Sequence, residues 1–148
     1  NTGTVTQSGS ENFASVTQAA SSGAIATAIQ NGSLSSATIV QTNATGSQAT
    51  VNQSGSLNEA TITQGSAALA GPPVVPATTS TNDRATITQT GTNGFATIDQ
   101  ADTTGAIATV TQGGDLNGAA VFQSGMDGLT TATVTQTGAT APLRQIRI

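Results

Sequence analysis

The segment Gln53-Ser54-Gly55-Ser56-Leu57-Asn58-Glu59-Ala60-Thr61-Ile62-Thr63-Gln64 decides how the rest of the chain is read. Its second half alternates small or apolar residues with Thr, the period-2 pattern of a half-buried strand, and its first half gathers turn formers. The strand motif returns as Ala85–Gln89, Ala108–Gln112 and Ala132–Gln136. Outward from it, eleven Gln keep phase: Gln7, Gln18, Gln30, Gln41, Gln53, Gln64, Gln89, Gln100, Gln112, Gln123 and Gln136. Their spacings are 11, 12, 11, 12, 11, 25, 11, 12, 11 and 13, so two half-units alternate in a repeat of 23 residues. The gap of 25 is a 12 with 13 residues inserted. Each Gln closes a strand whose centre is Val or Ile (Val5, Val16, Ile39, Val51, Ile62, Ile87, Ile98, Val110, Val121, Val134), with Ala28 the exception.

The composition agrees with a repeat and disagrees with an ordinary globular core. Gly, Ala, Ser and Thr supply 84 of 148 residues, against three Phe and no Trp or Tyr, so large side chains cannot carry the cohesion. Disorder is not implied either, because only ten residues are charged. A net charge of −4 with three Arg and no Lys offers little to phosphates, which argues against nucleic acid as a partner. Zero Cys and zero His remove thiolate chemistry, the usual general base and the commonest metal ligand. No cofactor is expected. The most apolar stretch, 67–77, is short and broken by Gly71, Pro72, Pro73 and Pro76, so no membrane span is expected. The chain opens at Asn1 with neither Met nor the basic and apolar regions of a signal peptide, the pattern of a processed or truncated form and compatible with secretion.

These patterns predict an all-β parallel solenoid of strand-turn-strand rungs, five to six of them, with two narrow faces. Period-2 geometry puts Ala60, Ile62 and Gln64 on one side and Thr61 and Thr63 on the other. The side with Val or Ile faces inward and takes the Gln with it. A buried amide without partners costs about 1 to 3 kcal/mol, and stacking identical Gln at about 4.8 Å removes that cost by forming side-chain ladders. The turns fall into two classes. Gly9, Gly32, Gly55, Gly91, Gly114 and Gly138 stand two positions after their Gln; Gly23, Gly46, Gly105 and Gly128 stand five after theirs. A Gly at a fixed offset predicts positive φ in both classes.

The pattern Q-x-G-x-x-N-x-A-x-x-x-Q over Gln53–Gln64 resembles the repeat of curlins, the subunits of bacterial curli amyloid fibres. Gln7, Gly9, Asn12, Ala14, Gln18 and Gln112, Gly114, Asn117, Ala119, Gln123 carry it too, giving an Asn ladder through Asn12, Asn58 and Asn117. The copy from Gln30 has Ser35 for Asn, and that from Gln89 has Asn93 one place early with Gly94 in its place. The resemblance covers nearly all of residues 3–136. It implies secretion across a bacterial outer membrane, nucleated polymerisation of identical subunits stacked end to end, and a role in a biofilm matrix and adhesion. A nucleator and secretion machinery are its implied partners, and the cell-surface fibre its location.

The whole chain, 1–148, reads as one such solenoid, with a Pro- and Ala-rich loop insertion at 65–84 that bulges outward and a tail at 137–148 whose Leu143–Ile148 offers a last strand. The expected function is that of a self-assembling extracellular structural fibre subunit. An ice-binding solenoid is the alternative, on outward Thr pairs (Thr4/Thr6, Thr61/Thr63, Thr86/Thr88, Thr109/Thr111, Thr133/Thr135) interrupted by Ile29, Asn52, Asp99 and Phe122. Catalysis is not expected. The acids are Glu11, Glu59, Asp83, Asp99, Asp102, Asp115 and Asp127; Asp83 beside Arg84 reads as a surface pair, and Asp99 with Asp102 falls short of the oxygens Ca²⁺ needs. Asn31, Asn43 and Asn52 match a glycosylation pattern that a Ser/Thr-rich chain also meets by chance.

Overall fold

The computed structural model describes residues 1–66 and 76–148; residues 67–75, with Pro72 and Pro73, and the side chains of Met126 and Asp127 lie outside the described residues. The chain forms strands β1 (Thr2–Gln7), β2 (Phe13–Ala19), β3 (Ile25–Gln30), β4 (Ser36–Thr42), β5 (Ala44–Thr45), β6 (Gln48–Gln53) and β7 (Glu59–Gln64). After the insertion come β8 (Ser80–Thr81), β9 (Arg84–Gln89), β10 (Phe95–Thr104), β11 (Ile107–Gln112), β12 (Gly118–Asp127), β13 (Thr131–Gln136) and β14 (Arg144–Arg147).

Strands alternate between two parallel sheets. Sheet A runs β1-β3-β6-β9-β11-β13 and sheet B runs β2-β4-β7-β10-β12-β14, so each rung contributes one strand to each sheet. Six rungs result. Consecutive strands of one sheet are a full rung apart in sequence, the separation a parallel pairing requires. Register is held by identity: Ala49 pairs with Ala85, Val51 with Ile87 and Gln53 with Gln89, although the inserted residues lie between them.

The core is a set of columns. Ala26, Ala49, Ala85 and Ala108 form one, Ile39, Ile62, Ile98 and Val121 another, all at most 1% exposed. Gln30, Gln41, Gln53, Gln64, Gln89, Gln100, Gln112 and Gln123 are as deeply buried. A layer this thin is filled by Ala, Val or Ile and the aliphatic stem of Gln, which is why the chain manages without aromatic residues in it.

The insertion departs in the B-to-A turn of the third rung. Ser66 and Thr78 exchange two backbone hydrogen bonds, 3.1 and 3.2 Å, that close its neck. The chain rejoins the solenoid at Ser80, short of Arg84: Ser80 and Thr81 pair with Ala44 and Thr45 on one side and with Thr103 and Thr104 on the other. At the far end, β14 pairs with β12, placing Ile146 beside Val121.

Candidate functional site: glutamine ladders and turn columns

Both Gln columns are continuous hydrogen-bonded ladders with one polarity. In sheet A each Nε2 donates to the Oε1 of the Gln one rung further on: Gln7 to Gln30 at 2.7 Å, then Gln30 to Gln53, Gln53 to Gln89, Gln89 to Gln112 and Gln112 to Gln136 at 2.9 Å. Sheet B repeats it from Gln18 through Gln41, Gln64 and Gln100 to Gln123, at 2.8 to 2.9 Å. The second amide hydrogen seals the adjoining turn. Gln30 Nε2 donates to Ser35 O at 2.9 Å, and Gln41 Nε2 to Ser47 O at 3.2 Å. Each interior Gln thus satisfies two donors and an acceptor without water, where an unpaired amide would be costly.

Asn12, Asn58 and Asn117 do not stack on one another. They occupy alternate rungs of one column, Asn12-Ser35-Asn58-Gly94-Asn117-Ala141, so each clamps the turn above it through the backbone. Asn58 Nδ2 donates to Gly91 O and its Oδ1 accepts from Gly94 N, both at 2.9 Å. Asn12 does the same with Gly32 O, 2.8 Å, and Ser35 N, 3.1 Å. Asn117 Oδ1 accepts from Ala141 N at 3.2 Å. A strict Asn ladder is therefore replaced by a side-chain clamp on backbone that tolerates Ser or Gly in the next rung.

The two turn classes use glycine for different reasons. In the B-to-A turn, Gly23, Gly46, Gly105 and Gly128 have φ of 64°, 64°, 71° and 117°, in the left-handed region where a Cβ is penalised. Asn82, φ 54°, fills that column where the insertion ends; Asn tolerates the conformation best among the other residues. In the A-to-B turn the expectation of positive φ fails for Gly32, Gly55, Gly91 and Gly138 and holds for Gly9 and Gly114. The left-handed position there lies two residues later, at Glu11, Leu34, Leu57, Asn93, Leu116 and Thr140, with φ of 54–57°. Glycine is needed for close approach instead: a Cβ on Gly32 or Gly55 would land on the carbonyl of the next glycine, 2.7 Å from its carbon.

Asp83 is not half of a surface pair. It is 1% exposed, in the column of Ala24, Ser47 and Ala106. Its Oδ1 accepts from Ala106 N at 2.7 Å, and its Oδ2 accepts from Ser80 Oγ and Thr103 Oγ1, each at 2.5 Å. This carboxylate does in the B-to-A turn what Asn58 does in the other, fixing the rung where the insertion rejoins. Sequence reasoning missed it because two of its three partners, Thr103 and Ala106, come from the turn of the next rung; its one signal was a position six residues before Gln89 occupied by a charged side chain. Burial pushes the Asp99 carboxyl above its ordinary range, between the uncharged column neighbours Thr63 and Phe122. Glu11, Glu59, Asp102 and Asp115 are spread over turns and strand starts, and no group of three acids that could hold a metal occurs among the described residues.

The outward Thr positions occur on both sheets and are most regular on sheet A. Sheet A carries Thr4/Thr6, Thr27, Thr50, Thr86/Thr88, Thr109/Thr111 and Thr133/Thr135 in register, broken by Ile29 and Asn52. Sheet B mixes Thr17, Thr38, Thr61/Thr63 and Thr97 with Val40, Asp99, Ala120, Phe122 and Arg147 at such positions, the Arg147 guanidinium lying 5.0 Å from the Phe122 ring centroid. Among the described residues no helix is long and apolar enough to cross a membrane.

Residues 1–25, which make up the first rung and enter β3, match the family model of the curlin associated repeat. The chain therefore carries a curlin repeat there, and the second rung pairs with it residue for residue. No curated protein and no solved structure matches the chain.

Proposed function

We propose that the chain is the self-assembling subunit of an extracellular, curli-like amyloid fibre that serves a biofilm matrix or an adhesive surface filament. One observation carries this reading: the inward columns of sheet A repeat a small residue, an apolar residue and Gln in register, so the edge that β13 presents matches what β1 is built to pair with. Paired strands leave N–H and C=O groups at an edge that invite another strand, and neither β1 nor β13 carries the charge, Pro or bulge that blocks such an edge. The matched curlin repeat lies in the first rung and supports the same reading. Identical subunits are the principal partners, with a nucleator and a secretion apparatus implied by the resemblance. The solenoid and the repeat point to a structural protein and not an enzyme.

Incubating purified chain and following light scattering, thioflavin fluorescence and fibre diffraction tests this. Fibres with a meridional spacing near about 4.8 Å are expected; a chain that stays monomeric at high concentration overturns the proposal.

The ordered Thr face of sheet A favours one second reading, an ice-binding surface. Monomeric chain that gives thermal hysteresis and no fibres establishes it in place of the first.

A further inference from the structure

We propose that copies of this chain join through sheet A and the A-to-B turn column, while sheet B is interrupted at each joint by Arg144 and Ile148. The inference rests on the fibre reading above and asks which atoms make the joint.

Sheet A offers complementary ends. Gln136 Nε2 donates to Pro142 O at 2.9 Å, the same turn-sealing bond that Gln30 makes to Ser35 O. Gln30 uses its other amide hydrogen on Gln53 Oε1. That hydrogen of Gln136 has no partner among the described residues, and Gln7 Oε1, at the other end of the same ladder, receives none. A second copy seated on β13 brings Gln7 Oε1 to Gln136 Nε2 and Val5, 47% exposed here, onto Val134. The glycine column continues as well. Nothing lies within 4 Å of a Cβ built on Gly138, which is the space where each interior glycine meets the carbonyl of the next rung and where Gly9 of the second copy arrives.

Sheet B is built differently at the sixth rung. The register of β14 puts Arg144 in the column of Ala37, Ala60, Ala96 and Ala119, each at most 1% exposed, where a guanidinium has no room. Ile148, bonded through its backbone to Phe122 O at 3.0 Å and Ser124 N at 3.2 Å, stands beside Gln123 in the ladder column. Gln123 ends that ladder: its Nε2 keeps the two backbone bonds, to Ile107 O and Thr130 O at 3.4 Å, that Gln100 makes to Arg84 O and Ala106 O, and has no ladder bond beside them. A second copy would set Ala14 on Arg144 and the Gln18 Oε1 on an aliphatic side chain with no donor. An inward-pointing charge is one of the devices by which natural sheets refuse a further strand. The sixth rung therefore accepts a copy by one sheet and resists it by the other.

Seeded elongation of the chain and three variants tests the joint. Gln7→Leu removes one internal bond, to Gln30, whereas Gln18→Leu removes the ladder bond to Gln41 and two further bonds, to Thr2 O and Ala24 O, so a larger effect of Gln7→Leu on elongation comes from the joint and not from internal losses. Gln7→Leu is expected to slow elongation about tenfold, the effect of one lost buried hydrogen bond at the joint, and Gln18→Leu by less than about twofold. Arg144→Ala combined with Ile148→Gln restores both columns of sheet B and is expected to elongate faster than the unmodified chain. Should only this double variant form fibres, the interruption of sheet B prevents joining altogether, and both the joint through sheet A and the fibre reading of the unmodified chain are overturned. Equal slowing by Gln7→Leu and Gln18→Leu, or a double variant no faster than the unmodified chain, overturns the joint while leaving the fibre reading intact. Absence of fibres from every chain, the double variant included, overturns both.

Discussion

The A-to-B and B-to-A turns both reverse the chain, both hold a glycine at a fixed offset from a ladder Gln, and need that glycine for unrelated reasons. In the first, the residue is squeezed between rungs: the path of Gly55 brings it against Gly91, and no side chain fits. In the second, Gly23 has only Gly46 backbone atoms 3.9 to 4.0 Å from a would-be Cβ and Gly128 has nothing within 4 Å, so it is the backbone angle that excludes other residues, with a side chain, that of Asn82, intruding at Gly46 alone. One column is a steric requirement imposed by the neighbouring rung and the other a conformational requirement of the turn itself. The lesson is that a conserved spacing within one chain identifies a constraint without identifying its kind.

Substitutions break this comparison in a graded order. Gly55→Ala has the largest expected effect: the added methyl meets Gly91 backbone that is itself bonded to Asn58, so the loss is at least about 3 kcal/mol, above the usual range of overpacking, and the apparent melting temperature falls steeply or folding fails. Asn58→Ala comes next. It leaves Gly94 N and Gly91 O without their buried partner, and two such losses amount to about 2 to 3 kcal/mol in a denaturant titration of monomer. Gly23→Ala is milder, about 1 to 2 kcal/mol, because only the left-handed backbone is penalised. A Gly23→Ala variant as damaged as Gly55→Ala would erase the distinction between the turns. The smallest effect sharpens it from the opposite side: Leu57→Asn, at φ 57° and half exposed, relieves strain and stabilises by about 0.5 to 1 kcal/mol, since Asn enters the left-handed region more readily.

Asp83 and Asn58 extend the same contrast to side chains. Each reaches across to a backbone N–H of the following rung, Ala106 and Gly94 respectively. The A-to-B turn does this with an amide that can also donate to a carbonyl. The B-to-A turn at the insertion uses a carboxylate, which can only accept, and so recruits Ser80 and Thr103 as donors.

Much of the architecture was legible before any coordinates. The phase of eleven Gln gave the rung length, the alternation around Ile62 gave the buried side, and the two glycine offsets gave two turn types. The site was legible as a set of residues but not as a set of bonds. Asn12, Asn58 and Asn117 look like a ladder in sequence and act as clamps on backbone, because the rungs between them carry Ser35 and Gly94. Leu34, Leu57 and Leu116 carried no signal of the left-handed conformation they adopt, since Leu is a residue that normally avoids it.

By itself the sequence determined the repeat, because a period is a property of the chain and stacking like on like is the arrangement that buries an amide without cost. Only the tertiary structure decided which atoms meet between rungs. Contacts such as Gly55 with Gly91, Asp83 with Ala106 and Ile148 with the Gln123 column join residues 23 or more positions apart, and their geometry depends on how the turns set one rung upon the next.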